Sequence, residues 1–482
     1  MRQPVGNRWF WRVMLGLFAC SVTKHFLTFA TGPTAIIYDA SEYWERGARV
    51  VQGDWLQLAD KVDYRTPLYP LFLATMQALF GEYALLVTVV AQHLLHMCCG
   101  FMTAMACYLI TGSRLVSLAG YAVSVSCVTR AWYANVTLTG SLFMFLLTAM
   151  FLMLVKYYRR PSIAGFATVG ALLGAATLVR PIPQMLWLPL FAVVLWQPGQ
   201  GILLRRKMLH IGAGLAALGV VVSPAMIRNY LAVDHAYVAR VPPINKWVVC
   251  FHDGSAANLP IPRTTAGQRL LQLVPELSSG RSEDRSGYFV IARLEDQGLT
   301  TSEIDALITE ACFDAIEEQP SVFLWAAFKR LGNFWRTHVA DYPYYSYYAL
   351  DETDHYYGQK TWRVEPLASW VEVLLSNTLS HSVRWLEIDF VACVIGTFLL
   401  ILRRDTRCIG LSLAVIFVYF PIITALLEVE SYRYRRVLEP CIVVAIVAGI
   451  FGTRDWRVRR WKACRATSRS DLRTPVTSEI AK

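Results

Sequence analysis

The sequence predicts an all-α polytopic membrane protein of about ten transmembrane helices, with interfacial helices in its first external loop and a mainly helical external domain. Three observations predict it. Of 482 residues, 55% are hydrophobic and only 17% charged, where a soluble domain carries about a quarter charged residues. The apolar residues fall in separate blocks of about 16 to 28, long enough to cross a hydrocarbon core of about 30 Å at about 1.5 Å per residue. The basic residues gather at the ends of alternate blocks, which accounts for the net charge of +11 without a nucleic-acid partner. No cleavable signal is expected, because the first block exceeds an h-region and lacks a small-residue cleavage pattern.

In chain order the expected spans are Trp9 to Ala30, Tyr83 to Ile110, Leu115 to Ala131, Leu138 to Val155, Ile163 to Leu178, Pro183 to Trp196, Leu209 to Ile227, Leu386 to Leu402, Ile409 to Leu427 and Val437 to Phe451. Pro181 and Pro183 interrupt the sixth. Arg2, Arg8 and Arg12, the Lys156 to Arg160 cluster, Arg205 to Lys207, Arg403 to Arg407 and the tail from Arg454 then share one side, the cytoplasm by the positive-inside rule. The chain divides into an N-terminal body (1–228) holding the first external loop (31–67), an external domain (229–384), C-terminal helices (385–452) and a basic cytoplasmic tail (453–482).

Inside the first external loop, Asp39, Glu42 or Tyr43, and Arg46 recur at helical spacing and share one face of a surface helix. A Glu42 to Arg46 pair on a solvated face is the plainer account of that spacing. Asp63-Tyr-Arg-Thr-Pro-Leu-Tyr-Pro70 follows, its prolines opening a short interfacial helix from Leu71 to Phe80. In the external domain Thr300 and Glu303 form a capping box before a helix that Pro320 stops. The tyrosines from Tyr342 to Tyr348 read as an interfacial aromatic belt or a sugar-stacking patch.

Arginines stand where the external face should lack them: Arg180, Arg228, and Arg433, Arg435 and Arg436. A phosphate would draw them together through their planar forks, while Glu428, Glu430 and Glu439 offer an internal alternative. The 11 cysteines show no CxxC spacing. Only Cys250 and Cys312 fall in the polar region, making them the one disulfide candidate if it faces an oxidising compartment. His93 and His96 read as packed side chains, the Asn135 sequon as unused, and the Asp351 to His355 acids as facing water. No metal or other cofactor is predicted, with a divalent cation left open.

The aspartate after the first span, Thr66-Pro-Leu-Tyr-Pro70, Leu178-Val-Arg-Pro181, Pro224-Ala-Met-Ile-Arg-Asn-Tyr230 and Tyr432-Arg-Tyr-Arg435 together resemble the polyprenyl-phosphate-dependent C-type glycosyltransferases. The closest branch holds protein mannosyltransferases and the lipid A aminoarabinose transferase. The resemblance implies inverting sugar transfer from a lipid-linked donor to an envelope glycan, lipid or protein on the exoplasmic face. The modest length, with no additional luminal module evident, favours a bacterial inner membrane, and the positive-inside rule puts both termini in the cytoplasm. The resemblance implies Asp39 as catalytic base. Glu42, Tyr43, Asp63, Arg65, Thr66 and Tyr69 would line the cavity, and Arg180, Arg228, Arg433, Arg435 and Arg436 would hold the donor phosphate. Gly140 stands where family members often carry a glutamate. A transporter or lipid flippase, or a silent carrier-binding relative, is the rival expectation.

Overall fold

The computed structural model describes residues 6–31, 36, 39–59, 65–126, 131, 133–196, 203–234, 236–252, 256–279, 281, 283–335, 389–428 and 432–452. The described secondary structure is helical apart from turns and loops. The membrane body contains α1 (Gly6–Thr31), α2 (Asp39–Val51), α3 (Leu68–Phe80), α4 (Ala84–Thr111), α5 (Arg114–Ser126), α6 (Gly140–Arg159), α7 (Ile163–Val179), α8 (Trp187–Trp196) and α9 (Leu204–Val233). A second helical unit contributes α10 (Pro243–Phe251), α11 (Thr265–Leu273), α12 (Gly287–Asp296), α13 (Thr301–Glu318) and α14 (Pro320–Trp335). The chain returns through α15 (Asp389–Leu402), α16 (Arg407–Leu427), α17 (Tyr432–Arg436) and α18 (Glu439–Ile446), the last continuing into a π turn, Val447–Phe451.

Five segments are long and apolar enough to cross a membrane: Arg8–Ala30, Leu68–Thr111, Gly140–Arg159, Leu204–Val233 and Arg407–Leu427. The described helices therefore do not amount to ten full spans. Ile163–Val179, Ile182–Trp196, Asp389–Leu402 and Glu439–Phe451 are apolar but shorter. The proline break expected near Pro181 is present as a 3₁₀ turn over Ile182–Met185 before α8, since proline withholds an amide donor and obstructs the preceding turn.

Close helix packing relies on glycine. A Cβ on Gly170 of α7 would stand 1.9 Å from the carbonyl oxygen of Gly214 in α9, and one on Gly396 of α15 would stand 2.2 Å from the Ala445 carbonyl oxygen. The absent side chains let the backbones approach to contact, the device by which helices associate in lipid. Gly47 does the same for the external loop, where an added Cβ would press on Ala74 N and Leu73 Cβ, both at 3.2 Å. There α2 lies against α3, and Gln77 Nε2 donates to the Trp44 carbonyl at 3.0 Å.

The second unit has its own apolar core, built around Trp247, Phe251, Leu270 and Ile308. Buried Asp305 accepts from Arg240 and Lys246, each at 2.8 Å, satisfying a carboxylate that burial alone would penalise. The capping box at Thr300 and Glu303 forms as its spacing predicts. Fully buried Arg330 of α14 donates through Nε to the Ala425 carbonyl at 2.7 Å, tying the second unit to the end of α16.

Candidate functional site

The site grows from the hairpin of α2 and α3. Asp39 and Glu42 occupy the first turn of α2, where the unsatisfied amides of a helix start favour negative charge. Arg65, just before α3, folds back over both: Nη2 donates to Asp39 Oδ1 at 3.0 Å, Nε to Glu42 Oε2 at 2.8 Å and Nη1 to the Tyr43 hydroxyl at 3.3 Å. Its guanidinium carbon also lies 5.0 Å from the Tyr43 ring centroid. Arg46, almost wholly buried, donates Nη2 to Glu42 Oε1 at 3.0 Å. The expected Glu42 to Arg46 pair thus exists, inside a larger group of two carboxylates and two guanidinia.

Desolvation by burial opposes the charge on Arg65, but Tyr43, Asp39 and Glu42 outweigh it and its pKa rises above the ordinary value. The side chains of Asp39, Glu42 and Arg65 keep 29%, 32% and 20% of their surface exposed. A substrate hydroxyl can therefore reach the carboxylates while their orientation is held. Tyr69 packs edge-on to Tyr43, with ring centroids 5.3 Å apart, and its hydroxyl donates to Gln92 Oε1 at 3.3 Å. Gln92 in turn donates to the carbonyls of Ala134 and Val136 at 2.9 and 3.0 Å. Thr66 is buried between Arg65 and α3 in the chain.

Two of the arginines, Arg180 and Arg436, reach the start of α6, while Arg435 turns to Trp335. Thr139 Oγ1 accepts from Arg180 Nε at 2.6 Å, and Arg180 also lies 5.5 Å from the Tyr434 ring centroid and within electrostatic range of Tyr69. One residue beyond Gly140, Ser141 Oγ bonds His96 Nε2 at 3.0 Å, and His96 meets Arg436 Nη2 at 3.4 Å. Arg436 also stands over the Tyr133 ring at 3.7 Å. Arg435 is buried, donates Nη1 to the Trp335 carbonyl at 2.8 Å, and has a buried Nε that donates no hydrogen bond among the described residues. Among the described residues, nothing lies within 4 Å of where a Cβ on Gly140 would point.

Arg228 engages the first loop. Its Nε and Nη2 both donate to the Gln57 carbonyl, at 3.1 and 2.6 Å, and Nη1 donates to Asn229 Oδ1 at 2.9 Å. Gln57 has φ of 53°, a left-handed conformation that costs a side-chain-bearing residue energy. The two-pronged grip holds that strained turn in place. Asp63 and Glu430 lie outside the described residues, as do the Tyr342 to Tyr348 patch and the Asp351 to His355 acids, and only the backbone of Arg433 is described.

Several participants carried no signal of their own in the sequence. Gln92, Thr139 and Asn245 are single polar residues in or beside apolar segments. Glu428 accepts from Asn245 Nδ2 at 2.5 Å and from the Tyr434 hydroxyl at 2.9 Å. Tyr434 sat within the Tyr-Arg-Tyr-Arg run, whose alternation was the available signal. His93 is packed and bonded, to His25 Nδ1 at 2.8 Å and Asn135 Oδ1 at 2.9 Å. Asn135, the sequon residue, is fully buried and donates to the Thr28 carbonyl at 2.7 Å. Among the described residues no group of three or more His, Cys, Asp or Glu side chains could hold a metal ion.

In the second unit, Cys250 of α10 and Cys312 of α13 are both buried and both free. They are close enough to hydrogen-bond, and that bond, followed by burial, pushes the Cys312 thiol well above its ordinary pKa.

No protein-family model matches the chain, and no curated protein sequence matches it. Two similar solved structures are of ArnT from Cupriavidus metallidurans. The form bound to undecaprenyl phosphate is 15% identical, with a TM-score of 0.33 over 86% of this chain and 76% of that one. The apo form is 13% identical, with a TM-score of 0.37 over 92% of this chain and 78% of that one.

Proposed function

We propose that the protein is an integral membrane glycosyltransferase that moves a sugar from a polyprenyl-phosphate carrier to an envelope acceptor. The observation that carries this reading is the pairing of two accessible carboxylates, Asp39 and Glu42, oriented by one guanidinium, with arginines from α7 and α17 gathered at the start of α6. Asp39 takes the proton of the acceptor hydroxyl. The acceptor oxygen bonds to the anomeric carbon as the bond from that carbon to the phosphate oxygen breaks, inverting the centre. The lipid phosphate leaves with its electron pair, and Arg180, Arg435 and Arg436 neutralise the growing charge where water is scarce. Arg433 belongs with this group by its place on α17, and Asp63 with the cavity by its place in the loop. Arg228 serves the same step from a distance, by fixing the loop that carries Arg65.

The external face of a bacterial inner membrane, with both termini cytoplasmic, is the placement this reading takes from the charge pattern. The buried His25, His93, His96 and Arg436 chain is the observation that favours transport of the lipid instead.

The test is transfer from a panel of radiolabelled polyprenyl-phosphate sugars to cell-envelope extract, comparing wild type with Asp39→Asn in matched membranes. Undecaprenyl phosphate, bound in one of the ArnT structures, is the carrier to try first. Transfer lost in the variant supports the reading; equal transfer from both removes Asp39 as base.

A further inference from the structure

A cavity of about 1110 Å³ lies at the other end of the bundle. It is lined by the last turn of α4, the last turn of α6, the first turn of α7 and the turn between α15 and α16, and it is open on one side. The 20 residues of α6 span about 30 Å, with Arg180 and Arg436 around the start and this cavity at the end. The two sites are thus one hydrocarbon thickness apart.

Four cations line the cavity, Lys156, Arg159, Arg160 and Arg403, against one carboxylate, Asp405. Two of them also serve the fold. Arg159 Nη2 donates to the Ile110 carbonyl at 2.5 Å, and Arg403 donates to the carbonyls of Leu399, Ala448 and Gly449 at 3.2 to 3.3 Å. These cap helix ends, as arginine commonly does. Lys156 and Arg160 cap nothing, since both are exposed and neither makes a side-chain hydrogen bond or ion pair among the described residues. The adjoining wall is apolar, with Leu109 and Met153. A phosphate carried on an apolar molecule matches both halves of the cavity.

We infer that this cavity binds the phosphate headgroup of an anionic phospholipid, at the membrane face opposite the Asp39 site. The cations hold the phosphate, Ser162 and the start of α7 add the positive end of a helix dipole, and the apolar wall takes the first carbons of the chains. Basic pockets between helices at a membrane face recognise lipid headgroups in this way. The cavity exceeds what a single inorganic phosphate would fill, so the lipid is the source to which the geometry commits.

The experiment measures lipid retention by the full-length protein in mild detergent, by native mass spectrometry, titrating phosphatidylglycerol, phosphatidylcholine or inorganic phosphate. Lys156→Gln/Arg160→Gln removes the two cations without other bonds. Arg205→Gln/Arg206→Gln removes equal charge from an exposed stretch that does not line the cavity. We expect phosphatidylglycerol to bind in preference to phosphatidylcholine, about 30-fold more weakly to the first variant and unchanged to the second. Equal weakening in both variants would reduce the effect to general surface charge and overturn the site. Undiminished binding to the first variant would overturn it as well. Inorganic phosphate that binds with the same dependence on Lys156 and Arg160, and displaces the lipid at equal concentration, would overturn the lipid assignment.

Discussion

Arg65 makes one side chain do three jobs: it orients Asp39, ties Glu42 and rests against Tyr43. If Asp39 is the base proposed above, Asp39→Asn keeps the shape and removes the proton acceptor, so sugar transfer should fall about a hundred- to ten-thousandfold with folding intact, measured as initial rate in matched membranes. Arg228 makes a different prediction. Arg228→Ala releases the carbonyl of Gln57 and should cost about 2 kcal/mol, read as a lower thermal unfolding midpoint in detergent. Gln57→Gly should be tolerated there, because glycine adopts the positive φ freely and the carbonyl stays. An unchanged midpoint for Arg228→Ala would mean that the loop holds its turn unaided. At this scale the sequence was informative where partners lie within two turns of one helix, as Asp39, Glu42 and Arg46 do. It was silent on the pairing of Arg65 with those carboxylates, 23 and 26 positions away, because that pairing depends on how α3 folds back on α2. Nor could any local pattern say that Arg228 would meet a carbonyl 171 positions earlier.

Between helices the decisive feature is backbone approach. Gly170→Leu should force α7 and α9 apart, since even a methyl there collides with the Gly214 carbonyl, and overpacking of this kind costs about 1–3 kcal/mol or more. The monodisperse fraction on size-exclusion chromatography should fall, with Gly170→Ala intermediate; wild-type behaviour of the leucine variant would contradict the packing. In the unit from α10 to α14, the raised Cys312 pKa has a definite sign. The folded state favours the protonated thiol, so its contribution is complete below the ordinary value of 9.0 and is lost as pH rises from there towards the folded value. The same burial should make alkylation of Cys250 and Cys312 slow in the native protein and fast after unfolding; rapid native labelling would contradict it. Helix positions and the capping box at Thr300 were legible from periodicity and cap chemistry. The number of full spans was not, because an apolar block of 10 residues like α8 and one of 28 like α4 present the same composition and differ only in where helix ends fall.

Across the whole molecule, charge is divided between two ends about 30 Å apart. At one end arginines from α7 and α17 are drawn in around polar partners with a carboxylate pair in front; at the other, cations surround an open cavity. That division suits an enzyme that does its chemistry at one face and anchors to anionic lipid at the other. A transporter would instead move its cargo between them. The fate of the bond between sugar and phosphate separates these cases most directly. A donor labelled with ¹⁴C in the sugar and ³²P in the polyprenyl phosphate, reconstituted with acceptor extract in proteoliposomes, should show the two labels parting with wild type and staying together with Asp39→Asn. Labels that stay joined while the intact donor crosses the bilayer, equally in both proteins, would contradict the account.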